Sequence, residues 1–246
     1  MKMIVKGFVI AAVALSVSTS AQAAKKYKEG TVSNGGAISG KITLGAAKAS
    51  TKSYTISKDP QICGEGTRDV PQVRANGDAL LDAVVYLDKV KTGKAFPAAL
   101  KKITINQTKC EFNPYLSVMQ NGGELEAINS DATLHNIHTY ELIGRARRTV
   151  LNVSQPEKGN IVTKKIKMRK GNGMKVECDA HDFMHSFVFV AKNPYFAVVG
   201  DNGEFSIGDV PAGEYTIKIW HGVLGEKKIG KVKVSAGGTA SVNGSY

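Results

Sequence analysis

Cysteine, histidine and tryptophan are scarce: the 246 residues hold three, five and one of them. Three cysteines cannot build the dense disulfide framework of a small secreted domain. Five histidines are too few for an enzyme that needs several separate histidine-lined metal sites. Beyond the first 23 residues there is no long apolar run, so no transmembrane helix is expected. The densest basic stretch, residues 163–175, has no interleaved aromatics, which argues against the stacking platforms of single-strand nucleic-acid binders. The formal charge of +12 is spread along the chain, with one denser stretch, "TKKIKMRKGNGMK", at 163–175. There Ile166 and Met168 alternate with Lys165, Lys167 and Arg169, as on a half-buried strand. A basic surface of this kind steers acidic partners.

The first 23 residues read as an export signal. Lys2 and Lys6 precede the ten-residue run "FVIAAVALSV", and "AQA" ends at Ala23, where cleavage is expected. The run is too short to span a bilayer, and no cysteine follows the cleavage point to take a lipid anchor. A periplasmic location is the expectation. In that oxidising compartment Cys63 and Cys110, left over once Cys178 is assigned below, are expected to join. The bridge closes a loop of about 48 residues, worth about 4 kcal/mol by chain entropy.

Helical periodicity is hard to find. Short runs rich in valine, isoleucine and aromatics recur between glycine-rich turns, which predicts an all-β chain of sandwiches or barrels. "AISGKITL", "AVVYLDKV", "YLSVM", "LEAIN", "TKKIKMR", "MKVEC", "SFVFVA", "EFSI", "EYTIKIW", "KIGKVKV" and "TASVNG" are the candidate strands. The residues from Asp201 to Tyr215 follow D-x-G-x-F-x-I-x-x-V-P-x-G-x-Y. "DNG" and "PAG" are turn chemistry, and Tyr215, Ile217 and Ile219 share a strand face. This stretch resembles the second half of a carboxypeptidase regulatory-like, transthyretin-type β-sandwich. Residues 31–102 and 193–246 are therefore expected to form one sandwich, interrupted by an inserted domain at 103–192.

The chemistry concentrates in "CDAHDFMH", residues 178–185. In "MKVECDA" strand alternation puts Met174, Val176 and Cys178 on one face and Lys175, Glu177 and Asp179 on the other. His181 and Met184 follow Cys178 by three and six residues, so one tight loop can gather all three around a point. Thiolate, imidazole and thioether together suit copper, and two histidines, one cysteine and a long axial methionine make the blue-copper set. Zinc is a rival for cysteine and histidine, but methionine is an odd ligand for it. The second imidazole comes from "NSDATLHNIHTY", residues 129–140, as His135.

A His-Asn on one loop and Cys-x-x-His-x-x-Met on a later one resemble the cupredoxins, the plastocyanin and amicyanin family. The resemblance covers about 90 residues and implies a Greek-key β-sandwich with one type 1 copper held by His135, Cys178, His181 and Met184. It also implies that Asn136 ties the two ligand loops together near the Cys178 sulfur. Asp182 stands where the amicyanin-type loop has proline, beside the expected solvent-facing edge of His181 through which electrons would pass. His138, His185 and His221 read as structural or surface histidines, and Met119 and Met174 as core. The function expected is a single-electron carrier rather than an enzyme, exchanging with a c-type cytochrome or another copper protein. The alternatives are a copper-delivery protein and an envelope module stapled by a metal.

Overall fold

The computed structural model describes residues 26–246, so the expected export signal lies outside the described residues. Regular structure is almost entirely strand. In chain order the main strands begin with β1 (Gly36–Thr43), β2 (Ser50–Thr55), β3 (Thr67–Val73) and β4 (Ala83–Asp88). The middle of the chain carries β5 (Lys102–Thr108), β6 (Glu111–Asn113), β7 (Leu116–Gln120), β8 (Glu124–Asn129) and β9 (His135–Ile143). It continues with β10 (Ala146–Gln155), β11 (Ile161–Lys165), β12 (Gly173–Glu177) and β13 (His185–Ala191). Last come β14 (Phe196–Val198), β15 (Glu204–Val210), β16 (Gly213–His221) and β17 (Gly225–Val234). A single helical turn, α1 (Pro60–Cys63), joins β2 to β3.

Strands from the two ends of the chain share sheets. β4 lies between β14 and β16, with β17 outside, while β1 pairs with β15 and with Thr239–Ser241 and Gly244–Ser245. These sheets enclose Ile38, Leu87, Tyr195, Phe205 and Ile219. Ile217 and Ile219 are fully buried, as the alternation in "EYTIKIW" predicts, and the Tyr215 hydroxyl donates to the Pro211 carbonyl across the "PAG" turn.

The middle of the chain forms two further sheets, β6-β5-β8-β11 and β7-β13-β12-β9-β10. Met119 and Met174 are fully buried between them with Ile105, Leu125, Ile137 and Val188. In the basic stretch the strand stops at Lys165, short of the expected extent. Ile166 and Met168 still point inward, because their N–H groups donate to Gly123 O and the Asn121 side chain instead of a neighbouring strand.

Between the two pairs of sheets an aromatic seam joins β4, β13 and β16. Phe189 lies 5.7 Å from Trp220 and 5.1 Å from Tyr86 between ring centroids. Such pairs contribute about 1 kcal/mol each beyond their buried area. The seam is tight at Gly173, where a Cβ would sit 2.3 Å from the Trp220 indole nitrogen.

One hairpin leaves its sheet neighbours altogether. β2 and β3 pair only with each other, and Tyr54, Ile56, Ile62 and Val70 from it and its connection pack against the core of the middle sheets. Its connection turns at α1 because Pro60 pre-sets the helical φ at the first position and Gly64, at φ 95°, ends the turn.

Candidate metal centre

Strand register brings the two ligand segments together. β9 and β12 are antiparallel with His138 opposite Glu177, so the residues before His138 run alongside those after Glu177. Asn136 thereby meets Asp179, whose N–H donates to Asn136 Oδ1 at 2.5 Å. Asn136 also donates to Asp179 Oδ2 at 2.9 Å and to Asn152 Oδ1 at 2.8 Å. Its own N–H points at the Cys178 sulfur, alongside those of Ala180 and His181. Residues 178–184 then close into the loop before β13, with the Met184 N–H donating to His181 O at 3.0 Å.

Inside this loop three ligand atoms converge. His135 Nδ1 lies 3.1 Å from His181 Nδ1, and Cys178 Sγ lies 3.8 and 3.7 Å from those two nitrogens. All three residues are buried, and so is Met184 in the same apolar cluster. Each imidazole donates its far nitrogen's proton to a carboxylate: His135 Nε2 to Asp131 Oδ2 at 2.9 Å, and His181 Nε2 to Asp59 Oδ2 at 3.0 Å. A carboxylate only accepts, so the proton sits on Nε2 and the lone pair of each Nδ1 faces the other. Two lone pairs aimed at one another beside a thiol, out of water, need a shared cation or proton between them. The donor set therefore fits a metal ion, and carboxylates behind metal-bound imidazoles are the usual way their orientation is fixed.

Burial pushes the Cys178 thiol up, against the three N–H groups that pull it down. It also holds His135 below the ordinary imidazole range despite Asp131, which pulls the other way. Both effects favour the neutral forms of these two groups, and metal binding would displace the thiol proton.

Asp131 and Asp59 are the residues the sequence reading missed. Asp131 is a local feature: it lies four residues before His135 and also accepts the N–H groups of Lys109 and Cys110, at 2.7 and 2.8 Å. Asp59 comes from the β2–β3 connection, 122 residues from His181 in sequence. The only sequence sign of it was its place four residues before Cys63. The Cys63–Cys110 disulfide is present and buried, and its sulfurs lie within ligand-atom reach of His181.

Two expectations are corrected. His181 has no solvent-facing edge: it is 1 % exposed, because the β2–β3 connection covers it. The acid beside its outer nitrogen is Asp59, and Asp182 points to solvent. His138 and His185 stay outside the cluster. His138 sits in a polar network with Asp179, Asn152, Tyr140 and Thr149, while the Nε2 of buried His185 lies 3.3 Å from the Tyr115 hydroxyl. His221 is buried in the flanking sheets, where its Nδ1 accepts the N–H groups of Val223 and Leu224.

A cleft of about 230 Å³ opens beside the centre, lined by Met184, His185, Arg68 and Tyr115 among others. The larger hollow, about 730 Å³, is lined in the flanking sheets by residues such as Lys41, Glu204 and Asn243 and holds no cysteine or histidine.

A family model described as polysaccharide lyase family 4, domain II, matches residues 176–242, running from β12 through the flanking strands. No curated protein matches the chain by sequence. Among solved structures the chain is similar to a copper-containing nitrite reductase from Thermus scotoductus, at 14% identity over 37% of this chain and 22% of that one, TM-score 0.30. It spans about a fifth of that enzyme's length. It is also similar to a purple cupredoxin from Nitrosopumilus maritimus (16% identity, 36% of this chain and 98% of that one, TM-score 0.31). A reduced amicyanin variant matches at 19% identity over 39% of this chain and 86% of its own, TM-score 0.30. Scores this low carry no functional argument, which rests on the distances above.

Proposed function

We propose that the chain is an exported, periplasmic type 1 copper protein that carries single electrons, with His135, Cys178, His181 and Met184 as its ligands. The observation that carries this reading is the buried convergence of two carboxylate-backed imidazole nitrogens and one thiol within 4 Å of one another. Bound there, copper supplies a one-electron couple. The chain's own residues do the rest. Asp131 and Asp59 fix the imidazole orientations, and Asn136 ties the two ligand loops. Three N–H groups stabilise the thiolate. A geometry held this firmly changes little between oxidation states, which suits electron transfer better than substrate chemistry. The partner in this reading is a c-type cytochrome or another copper protein. The strands shared between the two chain ends support a transthyretin-type sandwich, 31–102 with 193–246, interrupted by a cupredoxin domain at 103–192.

The covered His181 favours one second reading, a metal that staples the envelope module and never cycles. Buried ligands speak against the third, a delivery protein that hands its ion on.

Reconstitution with Cu(II) tests the proposal. An intense thiolate-to-copper absorption band is expected, lost in Cys178→Ser and retained in His138→Ala. A colourless protein binding only Zn(II) one-to-one overturns copper and leaves the staple. A blue protein whose band cannot be bleached by a reduced cytochrome also leaves the staple.

A further inference from the structure

His181 depends on a residue from outside its own sheets. The Asp59 carboxylate accepts from His181 Nε2 and lies beside the Thr133 hydroxyl, two residues before His135, so one side chain touches both ligand segments. Asp59 is itself 34% exposed, whereas the His181 ring behind it is fully covered.

The turn that carries Asp59 is fastened on every side. Its backbone closes on itself, with the N–H groups of Ile62 and Cys63 donating to Asp59 O at 2.9 and 2.8 Å. Cys63 is bridged to Cys110, on the segment whose N–H groups are held by Asp131. Arg68 reaches across the bridge, donating to Cys63 O at 2.7 Å and Cys110 O at 2.9 Å. Its guanidinium also lies over the Phe183 ring, 5.0 Å from the centroid, and that ring stands 5.7 Å from His181. Ile56 and Ile62 pack into the apolar cluster that holds Cys178 and Met184.

We infer that Asp59 is a positioning residue of the metal centre and that its turn is a stapled lid over His181, which a chelator or redox partner must pass to reach that edge. This rests on reading the cluster as a metal centre. The bridge fixes where the turn sits, Arg68 holds the bridge's carbonyls, and Asp59 delivers the only polar contact to the outer nitrogen among the described residues. The centre is thus completed by the hairpin and is not self-contained within the sheets that bear its ligands.

The test begins on the metal-free protein. Carbethoxylation of individual histidines by diethyl pyrocarbonate, followed by peptide mass spectrometry, reports whether His181 Nε2 can be reached. Asp59→Ala is expected to speed modification of His181 about tenfold while His135 in the same molecule stays protected. The double variant Cys63→Ala/Cys110→Ala, which frees the turn while keeping Asp59, is expected to do the same. In copper-loaded protein, Asp59→Ala should release the ion to a chelator at least about tenfold faster and shift the EPR hyperfine splitting, with Asp59→Asn recovering part of both. Unchanged His181 modification in both variants, or an equal rise at His135, overturns the lid. An unshifted EPR spectrum overturns the positioning role. A wild-type protein that shows no thiolate-to-copper band removes the centre itself, yet the metal-free rates still decide whether the lid exists.

Discussion

Two carboxylate–imidazole pairs back the centre, and they are built in opposite ways. Asp131 and His135 are four residues apart, both nearly buried, and Asp131 is further bound by two N–H groups. Asp59 and His181 are 122 residues apart, and Asp59 is a third exposed on a hairpin that no other strand pairs with. The first pair is part of the sheets that carry His135 and Cys178, and the second joins segments held together by a disulfide, Arg68 and apolar packing. The candidate metal centre therefore has one imidazole set by local chain geometry and one set by tertiary fastening. Perturbations should separate them.

Removing the fastening should have the largest effect. Cys63→Ala/Cys110→Ala is expected to cost about 4 kcal/mol of stability in chemical denaturation of the metal-free protein, from the loop freed in the unfolded chain. If the pairs are as distinct as their construction implies, His135 stays protected in the surviving native state while His181 does not. Next comes Asp131→Ala, which strands three donors at once, the N–H groups of Lys109 and Cys110 and the His135 ring. A loss of about 3 to 4 kcal/mol is expected by the same measurement, with copper affinity down ten- to a hundredfold. Asp59→Ala should cost less, about 1 to 2 kcal/mol, since the acid is partly exposed and its loss lets water reach the freed His181 N–H.

His221 sharpens the comparison as a buried imidazole with no carboxylate hydrogen-bonded to it among the described residues. Burial lowers its pKa from 6.5 to about 4, so it folds neutral and must be protonated to unfold in acid. The unfolded chain binds the extra proton between those values. Stability from this group is therefore present above pH 6.5 and is lost as the pH falls toward 4, by up to about 3 kcal/mol. His221→Phe should remove one proton's worth of slope from stability plotted against pH over that window. An unchanged slope would place the acid sensitivity elsewhere.

The ligand loop was legible because its chemistry is sequence-local: Cys178, His181 and Met184 fall within seven residues, and alternation in "MKVEC" turned Cys178 inward. The core methionines and the turns of "DNGEFSIGDVPAG" were readable for the same reason. β9 was harder, because a strand reading "HNIHTYELI" hides Thr139 and Glu141 at 0 % exposure. Glu141 is tolerated there since the N–H groups of Arg169, Lys170 and Gly171 converge on it, together with Arg148. The β2–β3 hairpin was invisible for a different reason. "STKSYT" and "TRDVPQV" are largely polar on both faces, so no alternation marks them as strands. Their apolar contacts come from residues spread between Tyr54 and Val70 that pair with nothing nearby in sequence. Asp59 could not be found as a ligand's partner until the fold brought it to His181.

The smallest expected effect tests the finest part of the contrast. The Thr133 hydroxyl is the strongest single influence holding the Asp59 carboxylate below its ordinary range, with His181 next among the groups that lower it. Thr133 lies on the His135 segment, so its hydroxyl ties the hairpin to that segment without passing through the disulfide. Thr133→Val keeps the side chain's shape and removes that tie, costing about 0.5–1 kcal/mol at most. Global unfolding should barely register it. Hydrogen–deuterium exchange of the peptide spanning 57–66 should, with protection falling severalfold while the peptide holding Asp131 and His135 exchanges as before. Equal loss in both peptides would mean that the two pairs are one cooperative unit, and the difference in their construction would then have no energetic counterpart.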